Sequence, residues 1–236
     1  MAFEDELVEM RKAVKAAEDE IVMAVMFHET WKPTAYDEDL HKRMGNSFAT
    51  HSFQIVRSSL RREMLMALMR LWDKNKRAIR MTTIADKLHN KEFFDALVAK
   101  RADGTGLSSN GVNQYMRDAL EPKREAVVKL VQKYSEGGSG FVVIEKLRAL
   151  RHERLAHRQT IQSSETRVDA TDQEIEAFYE DNLELVSRLL SLVMATSFDL
   201  TEAAGVYRHH AKFFWANARG ERTEGHPNYR APKLPL

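Results

Sequence analysis

The chain has 236 residues, of which 43% are hydrophobic and 30% are charged, and its formal net charge is only +1. This composition is typical of a soluble globular protein with enough apolar residues for a sizeable core. Because the chain has no cysteine, disulfide bonds and thiolate-bound zinc are excluded. The near-neutral charge means that any nucleic-acid binding must depend on a local basic patch.

The acidic N-terminal residues M-A-F-E-D-E-L-V do not have the basic-then-apolar order of a signal peptide. The longest apolar run, near Ile21 to Phe27, is about a third of the ~20 residues that cross a bilayer. The absence of cysteine is compatible with a reducing compartment. We therefore expect a cytoplasmic protein that makes no membrane contact.

Apolar residues at three- and four-residue spacing predict a first helix over residues 3–30. The segment Lys32-Pro33-Thr34 is expected to end it, since proline disfavours a continuing helix. The pattern then predicts a very long helix over residues 37–74, which Gly45 could break.

Short helices are expected near residues 83–89 and 91–101, with Thr83 as the N-cap of the first and Asp86 three residues later. Residues 102–111 are rich in Gly, Ser and Asn and are predicted to form a loop. A further helix is predicted over residues 112–135, where Pro122 starts a second segment or kinks the helix.

A break at Gly137-Gly-Ser-Gly140 precedes the helix predicted over residues 141–157. After a polar loop over residues 159–170, Thr171-Asp-Gln-Glu174 has the order of a capping box and predicts a helix to about residue 197. Asp199-Leu-Thr-Glu202 is expected to open a last helix, which runs to about Ala218.

Strict alternation of apolar and polar residues is missing, so the fold class that we predict is all-α. The expected architecture is a helical bundle of about seven or eight helices, with long antiparallel helices at its centre. Residues 1–219 are expected to form one domain, and residues 220–236, with three prolines, an irregular C-terminal tail.

The most unusual segment is Lys146–Arg158, K-L-R-A-L-R-H-E-R-L-A-H-R, which has five Lys/Arg, two histidines and one acid. Within it, Arg151, the polar His152, four further residues and His157 follow the order Arg-polar-x4-His. This order resembles the signature of the HEPN superfamily (higher eukaryotes and prokaryotes nucleotide-binding domain). The surrounding residues are most similar to its abortive-infection U-type branch.

A second segment, Phe48–Asp73, has the pattern F-x4-F-x4-S-x-x-R-R-E-M-L-M-A-L-M-R-L-W-D and resembles the long second helix of that branch. The resemblance covers about residues 3 to 215. It implies an HEPN-like all-α fold and usually a homodimer. Many members are metal-independent ribonucleases, in which Arg and His of both protomers meet across the interface. Gln159 stands where some nuclease members have tyrosine.

The resemblance also implies a setting in bacterial phage defence or a toxin–antitoxin pair, with an antitoxin or regulatory partner. RNA is the expected substrate, and neither a metal nor another cofactor is expected. A Walker motif and a dinucleotide glycine motif are missing, because Gly104-Thr-Gly106 lacks a strand–turn–helix setting and a following lysine.

The residue types in the motif suit metal-independent RNA cleavage. Arginine stays charged and can bind two phosphate oxygens at once. Histidine, with a reference pKa of about 6.5, can move protons at neutral pH. Arg151 and His157 are therefore the candidate catalytic residues, with His152, Arg154 and Arg158 in supporting roles.

Helical geometry leaves the phosphate-binding role open. Arg151 and His157 are six residues apart, which places them roughly 120° apart on an ideal helix. They meet at one phosphate only if the helix ends or distorts near His157, or if two chains contribute. Arg154 is closer to His157 on the helix surface and is a rival for the same role.

Arg148 and Arg70 are possible RNA-binding residues in addition. Arg70 belongs to the segment Arg57–Arg80, which has eight Lys/Arg against two acids and could follow an RNA strand. These arginines equally suit ion pairs beside an apolar helix face.

Two alternatives to the nuclease stay open at this point. The domain could bind RNA or a nucleotide without cleaving it, or it could be a helical interaction module. In that last case Arg151 and Arg154 would pair with the acidic helix Asp172–Glu184, which has six acids and no base. A zinc site at His152 and His157 is disfavoured, because the zinc-protease helix needs histidines four residues apart.

The aromatic segment His209-His210 with Phe213-Phe214-Trp215 has two interpretations. It could stack on bases. Aromatic residues on a terminal helix more often dock that helix against the bundle or against a second subunit.

Overall fold

A computed structural model describes residues 3–75, 78–106, 110–151 and 169–230, and these ranges contain nine α-helices and no strand. The all-α prediction is therefore confirmed. The helices are α1 (Phe3–Tyr36), α2 (Glu38–Met44), α3 (Phe48–Arg70), α4 (Met81–His89), α5 (Lys91–Asp103), α6 (Asn110–Tyr134), α7 (Phe141–Leu150), α8 (Asp172–Leu189) and α9 (Leu200–Ala216).

The first helix is longer than predicted, because α1 passes through Pro33 and ends at Tyr36. The prediction that Pro33 ends it is wrong. Proline removes one backbone N–H donor, yet nearby contacts hold the helix on either side of it. Trp31 is 2% exposed, and the buried Thr34 hydroxyl donates to the Trp31 carbonyl oxygen at 2.6 Å.

The long helix predicted over residues 37–74 consists of two helices, because Gly45 separates α2 from α3. Its φ of 51° lies in the left-handed region that glycine adopts without steric strain. The alternative of a break at Gly45 is thus confirmed, and it gives one helix more than the largest number expected. The second of the pair ends at Arg70, before residue 74.

The start of α4 differs from the prediction, since its N-cap is Arg80 and not Thr83. The cause is an isolated antiparallel bridge between Trp72 and Arg80. The adjoining Met81 N–H donates to the Leu71 carbonyl oxygen at 3.3 Å. This bond satisfies a first-turn donor that a capping side chain would otherwise bind. The helix therefore begins directly after the bridge.

Two predicted helix ends are also revised. The predicted loop over residues 102–111 is shorter, because α5 continues to Asp103 and α6 already begins at Asn110. Pro122 lies inside α6, which continues to Tyr134 as one helix.

The C-terminal end of α8 passes into a π-helical segment, Leu190–Met194, which ends at Ala195 with a φ of 62°.

The predicted capping box at the start of α8 is confirmed. The Thr171 hydroxyl accepts from the Glu174 N–H at 3.1 Å, and the Glu174 carboxylate accepts from the Thr171 N–H at 2.7 Å. Lys146 of α7 also donates to the Glu174 carboxylate, at 2.8 Å. This single carboxylate therefore joins the start of α8 to α7, the helix that leads into the motif.

Replacing Thr171 with alanine is expected to lower the free energy of unfolding by about 1 kcal/mol, because a helix donor then loses its acceptor. Urea unfolding followed by circular dichroism measures the change. Gln173→Ala, at an exposed position in the same turn, is the matched control and should change the free energy by less than about 0.5 kcal/mol. Equal effects of the two substitutions would contradict the role of the box.

The described helices pack into two compact units. The first comprises Met1–Ile21 and Met66–Asp199. In it α6 packs against α4, α5, α7 and α8, so it is the central helix of this unit. Large buried side chains come from several of these helices, among them Phe94, Val127, Ile144 and Phe178.

The second unit comprises Val22–Leu65 and Leu200–Leu236. Its core cluster consists of five buried residues: Leu40, Met44, Phe53, Ala211 and Trp215. Trp215 thus packs inside the unit, whereas Phe213 and Phe214 are 60% and 63% exposed. The expected division into a domain over residues 1–219 and a tail stays a prediction.

The described part of the tail lies against α2. A 3₁₀ turn, Gly220–Arg222, packs on that helix. A Cβ atom at Gly220 would lie 1.9 Å from the Met44 carbonyl oxygen, so only glycine fits there. Within the described residues, no helix combines the length and the apolar character that a membrane crossing needs.

Candidate functional site

Arg151 directly follows the last residue of α7. That helix buries Ile144 and Leu147 in the core of the first unit, which fixes the position of its C-terminal end. The Arg151 Nη1 donates to the Asp73 Oδ2 at 3.3 Å, and the Arg151 side chain is 18% exposed. The first residue of the motif is therefore held by an acid from the loop after α3.

Asp73 is held in turn by its own loop. Its Oδ1 accepts from the Asn75 N–H at 2.9 Å. This hydrogen bond and the charge of Arg151 lower the pKa of Asp73 below its usual value, against the opposing effect of burial. The carboxylate is therefore ionised at neutral pH, and it keeps the Arg151 guanidinium in place.

A cavity of about 330 Å³ adjoins this ion pair, with Asp73 in its wall. Three cationic and two acidic side chains line it, so its net charge is slightly positive, and three aromatic residues and three smaller or uncharged residues complete the lining. The lining residues are Trp72, Asp73, Lys74, Arg80, Met81, Thr82, Tyr134, Ser135, Glu136, Phe141 and Arg148.

Arg148 connects α7, the helix that leads into the motif, to one wall of the cavity. Its Nη2 donates to the Trp72 carbonyl oxygen at 3.2 Å, and its Nη1 donates to the Glu145 carboxylate. With the side chain only 18% exposed, Arg148 has a fixed orientation. The end of α7 is thus joined to the loop after α3 by two arginines, Arg148 and Arg151.

Tyr134 places a buried phenol in the cavity wall. Its hydroxyl donates to the Asp181 carboxylate, which also accepts from Lys133 at 2.6 Å. Burial and the Asp181 charge both raise the pKa of Tyr134 far above its usual value. The phenol is therefore permanently protonated, and it serves as a hydrogen-bond donor and an aromatic surface, not as a base.

Other predicted residues lie apart from this site or beyond the described ranges. Arg70 pairs with Glu20 of α1 at 2.7 Å and is not a lining residue of the cavity. His152, Arg154, His157 and Arg158 fall in residues 152–168, which lie outside the described residues.

The acidic helix α8 does not bind Arg151. Its acids bind other cations, as shown by the pairs Lys146–Glu174 and Lys133–Asp181. The alternative in which Arg151 and Arg154 pair with residues 172–184 is therefore wrong for Arg151, and Arg154 lies outside the described residues. The acid that binds Arg151 lies close in space but 78 residues earlier in the chain.

The family model HEPN_AbiU2, described as AbiU2, matches residues 3–214 of the chain. The chain belongs to this family. The prediction of an abortive-infection U-type HEPN domain is thereby confirmed. None of the curated proteins and none of the solved structures matches the chain.

Four residues of the candidate site in this AbiU2-family protein could not be identified from the motif: Asp73, Lys74, Arg80 and Tyr134. Two signals pointed to two of them, Asp73 and Tyr134. Trp72-Asp73 closes the second segment of the family resemblance, and Tyr134 stands just before the glycine-rich break that precedes the motif helix. Neither signal specifies a contact with Arg151, because such contacts depend on how distant segments pack.

The candidate site of this AbiU2-family protein combines basic, acidic and aromatic side chains. Among the residues that the structure describes, no group of three His, Asp or Glu side chains is arranged to hold a metal ion. The chemistry that these side chains offer is anion binding by guanidinium and ammonium groups, with aromatic rings beside them.

Proposed function

We propose that this HEPN protein is a metal-independent endoribonuclease that acts as a homodimer, in bacterial phage defence or as the toxin of a toxin–antitoxin pair. The observation that carries the proposal is the position of Arg151. It directly follows α7, and its partner Asp73 lines a cavity together with Lys74, Arg80 and Arg148. A regulatory partner such as an antitoxin would restrain the activity.

In the proposed reaction, Arg151 binds the scissile phosphate and stabilises the charge that develops on it. A guanidinium has five N–H donors, and the contact with Asp73 uses one of them. Donors thus remain for two phosphate oxygens. Asp73 fixes the direction of the guanidinium before RNA binds, so less ordering is needed in the complex.

His157 moves the proton. As a base it takes the proton of the ribose 2′-hydroxyl, whose oxygen then attacks the adjacent phosphorus and displaces the 5′-oxygen of the next nucleotide. The leaving oxygen receives a proton from an acid, a role that the second histidine of a homodimer fills. The products are a 2′,3′-cyclic phosphate and a free 5′-hydroxyl.

Incubation of the purified protein with a mixed pool of RNAs in EDTA tests this function. We expect cleavage without metal, 2′,3′-cyclic ends by mass spectrometry, and a dimer by light scattering. His157→Ala should lower the rate by about 100-fold or more, since a general acid–base group contributes 10²–10⁴-fold. His89→Ala, at an exposed histidine of α4, is the matched control and should retain full activity.

Two results would contradict this proposed function. A wild-type protein that is folded and dimeric, yet inert toward the whole RNA pool, would exclude the nuclease function. Cleavage that disappears in EDTA would exclude the metal-independent mechanism.

A second candidate function is binding of RNA or a nucleotide without cleavage. The cavity of about 330 Å³ favours it. Small-molecule sites in proteins are typically about 300–1,000 Å³, and this one combines aromatic rings with cations, as a nucleotide requires. Binding that weakens steeply with salt, with no product formed, would select this function over the nuclease.

A further inference from the structure

The second unit contains a basic pocket of its own. It has a volume of about 560 Å³, and its lining residues are Lys42, Arg43, Glu221, Arg222, His226, Asn228 and Arg230. Four of these are cations and one is an acid. Five of the seven lie beyond residue 214, where the family match ends. The pocket is therefore a feature of this chain that membership of the family does not explain.

Most of its positive charge is free of acidic partners. The lone acid, Glu221, is bound by Arg219 at 2.8 Å, and Arg219 is not a lining residue. Lys42 has only distant contacts with Glu38 and Asp39, at 3.7 and 3.8 Å. Arg222 and Arg230 are exposed and form no ion pair within the described part of the chain.

Arg43 adds an unsatisfied donor. Its Nη2 donates to the Trp215 carbonyl oxygen at 3.3 Å, but its Nε is buried and has no hydrogen-bond partner among the described residues. A buried donor on a charged group is unfavourable when it is left unpaired. Arg43 also lines the pocket, and no acid within the described residues pairs with it.

The pocket has a fixed shape, since the tail that supplies five of its seven lining residues is docked on α2 and on the start of α3. The Phe48 N–H donates to the Glu224 carbonyl oxygen at 3.4 Å. The His226 ring is buried and packs against Gly45, where an added Cβ would lie 2.5 Å from its Nε2. The His226 Nδ1 accepts from the Asn228 N–H at 3.0 Å. These contacts hold the loop that bears Arg222 and Arg230.

We propose that this pocket binds a phosphate group, with Arg43, Arg222 and Arg230 as its main ligands. The phosphate belongs to an RNA strand or to a free nucleotide, which share this chemistry. Arginine suits both, because its planar guanidinium binds two phosphate oxygens at once. This site is made of residues that the motif site does not use, and it does not depend on catalysis.

Binding of two probes to the wild type and to the double variant Arg222→Gln/Arg230→Gln tests the proposal. One probe is a fluorescein-labelled 12-nucleotide RNA with 2′-O-methyl groups, followed by anisotropy at several salt concentrations. The other is ATP, followed by calorimetry. Because the oligonucleotide has no free 2′-hydroxyl, it cannot be cleaved, and the result is separate from that of the nuclease test.

We expect the double variant to bind one of the probes at least 10-fold more weakly. If the oligonucleotide is affected, the slope of log K against log salt should fall by about 0.7, the single-strand value for the loss of one phosphate contact. If only ATP binding is weakened, the phosphate group that the pocket binds belongs to a free nucleotide. The control Arg62→Gln/Lys212→Gln removes the same charge from exposed positions of the same unit and should bind as the wild type does.

The proposal is overturned if the wild type binds neither probe, or if the double variant binds both probes as tightly as the control does. Circular dichroism of each variant verifies the fold. Both substitutions are at exposed side chains, so we expect no loss of helix.

Discussion

Substitution of Arg151 by alanine is expected to lower the rate of RNA cleavage by about 100- to 1,000-fold, the usual effect of removing one donor that stabilises a developing negative charge. The fold should persist, because the pair with Asp73 is partly exposed and such pairs contribute about 0–1 kcal/mol. Single-turnover cleavage rates and thermal unfolding, measured on the same preparations, separate these two effects.

Arg151→Lys is a useful second variant, since it retains the charge but loses the planar pair of donors. It should recover only a small part of the rate. Arg188→Ala, at an arginine that pairs with Glu184 on the exposed face of α8, is the matched control and should cleave normally. Full activity of Arg151→Ala would place phosphate binding elsewhere, with Arg154 as the next residue to test.

Replacement of Phe178 by alanine is expected to lower the free energy of unfolding by about 3–5 kcal/mol, as for other large aromatic residues in protein cores. Phe178 is fully buried, and its ring lies 4.9 Å from that of Tyr134 and 6.1 Å from that of Trp72. Both neighbours line the motif cavity. The substitution should therefore also loosen one wall of the proposed active site.

Urea unfolding, followed by circular dichroism and by tryptophan fluorescence, measures this loss. Phe213→Ala is the matched control, because that ring is 60% exposed and its removal should cost less than about 0.5 kcal/mol. A loss below 1 kcal/mol for Phe178→Ala would mean that the aromatic cluster is not a close-packed core.

The sequence predicted helix ends well where the signal is local. Thr171 and Glu174 form the expected capping box because the residues that satisfy each other are three positions apart. Thr83 failed as a cap, since the bridge between Trp72 and Arg80 determined where α4 begins. Pro33 failed as a stop signal because packing around Trp31 outweighs the loss of one backbone hydrogen bond.

The candidate site shows the same difference between what local sequence predicts and what long-range packing decides. Arg151 and Arg148 could be identified from the density of charge around them and from the family motif, and the structure places both beside one cavity wall. Their partners could not be identified, since Asp73 and Trp72 come from a segment more than 70 positions earlier. The roles of His157, His152, Arg154 and Arg158 stay predictions.

The antiparallel bridge between Trp72 and Arg80 has a practical consequence for experiments. The bridge holds Trp72 and Arg80 together, so we expect a small chemical label on the segment between them to leave the adjoining helices in place. The chain has no cysteine of its own, and Ala78 in this loop is exposed. Ala78→Cys would thus create a unique attachment point for a fluorophore beside the cavity that Lys74 and Arg80 line, and a change in its emission would report binding of an added nucleotide or RNA there.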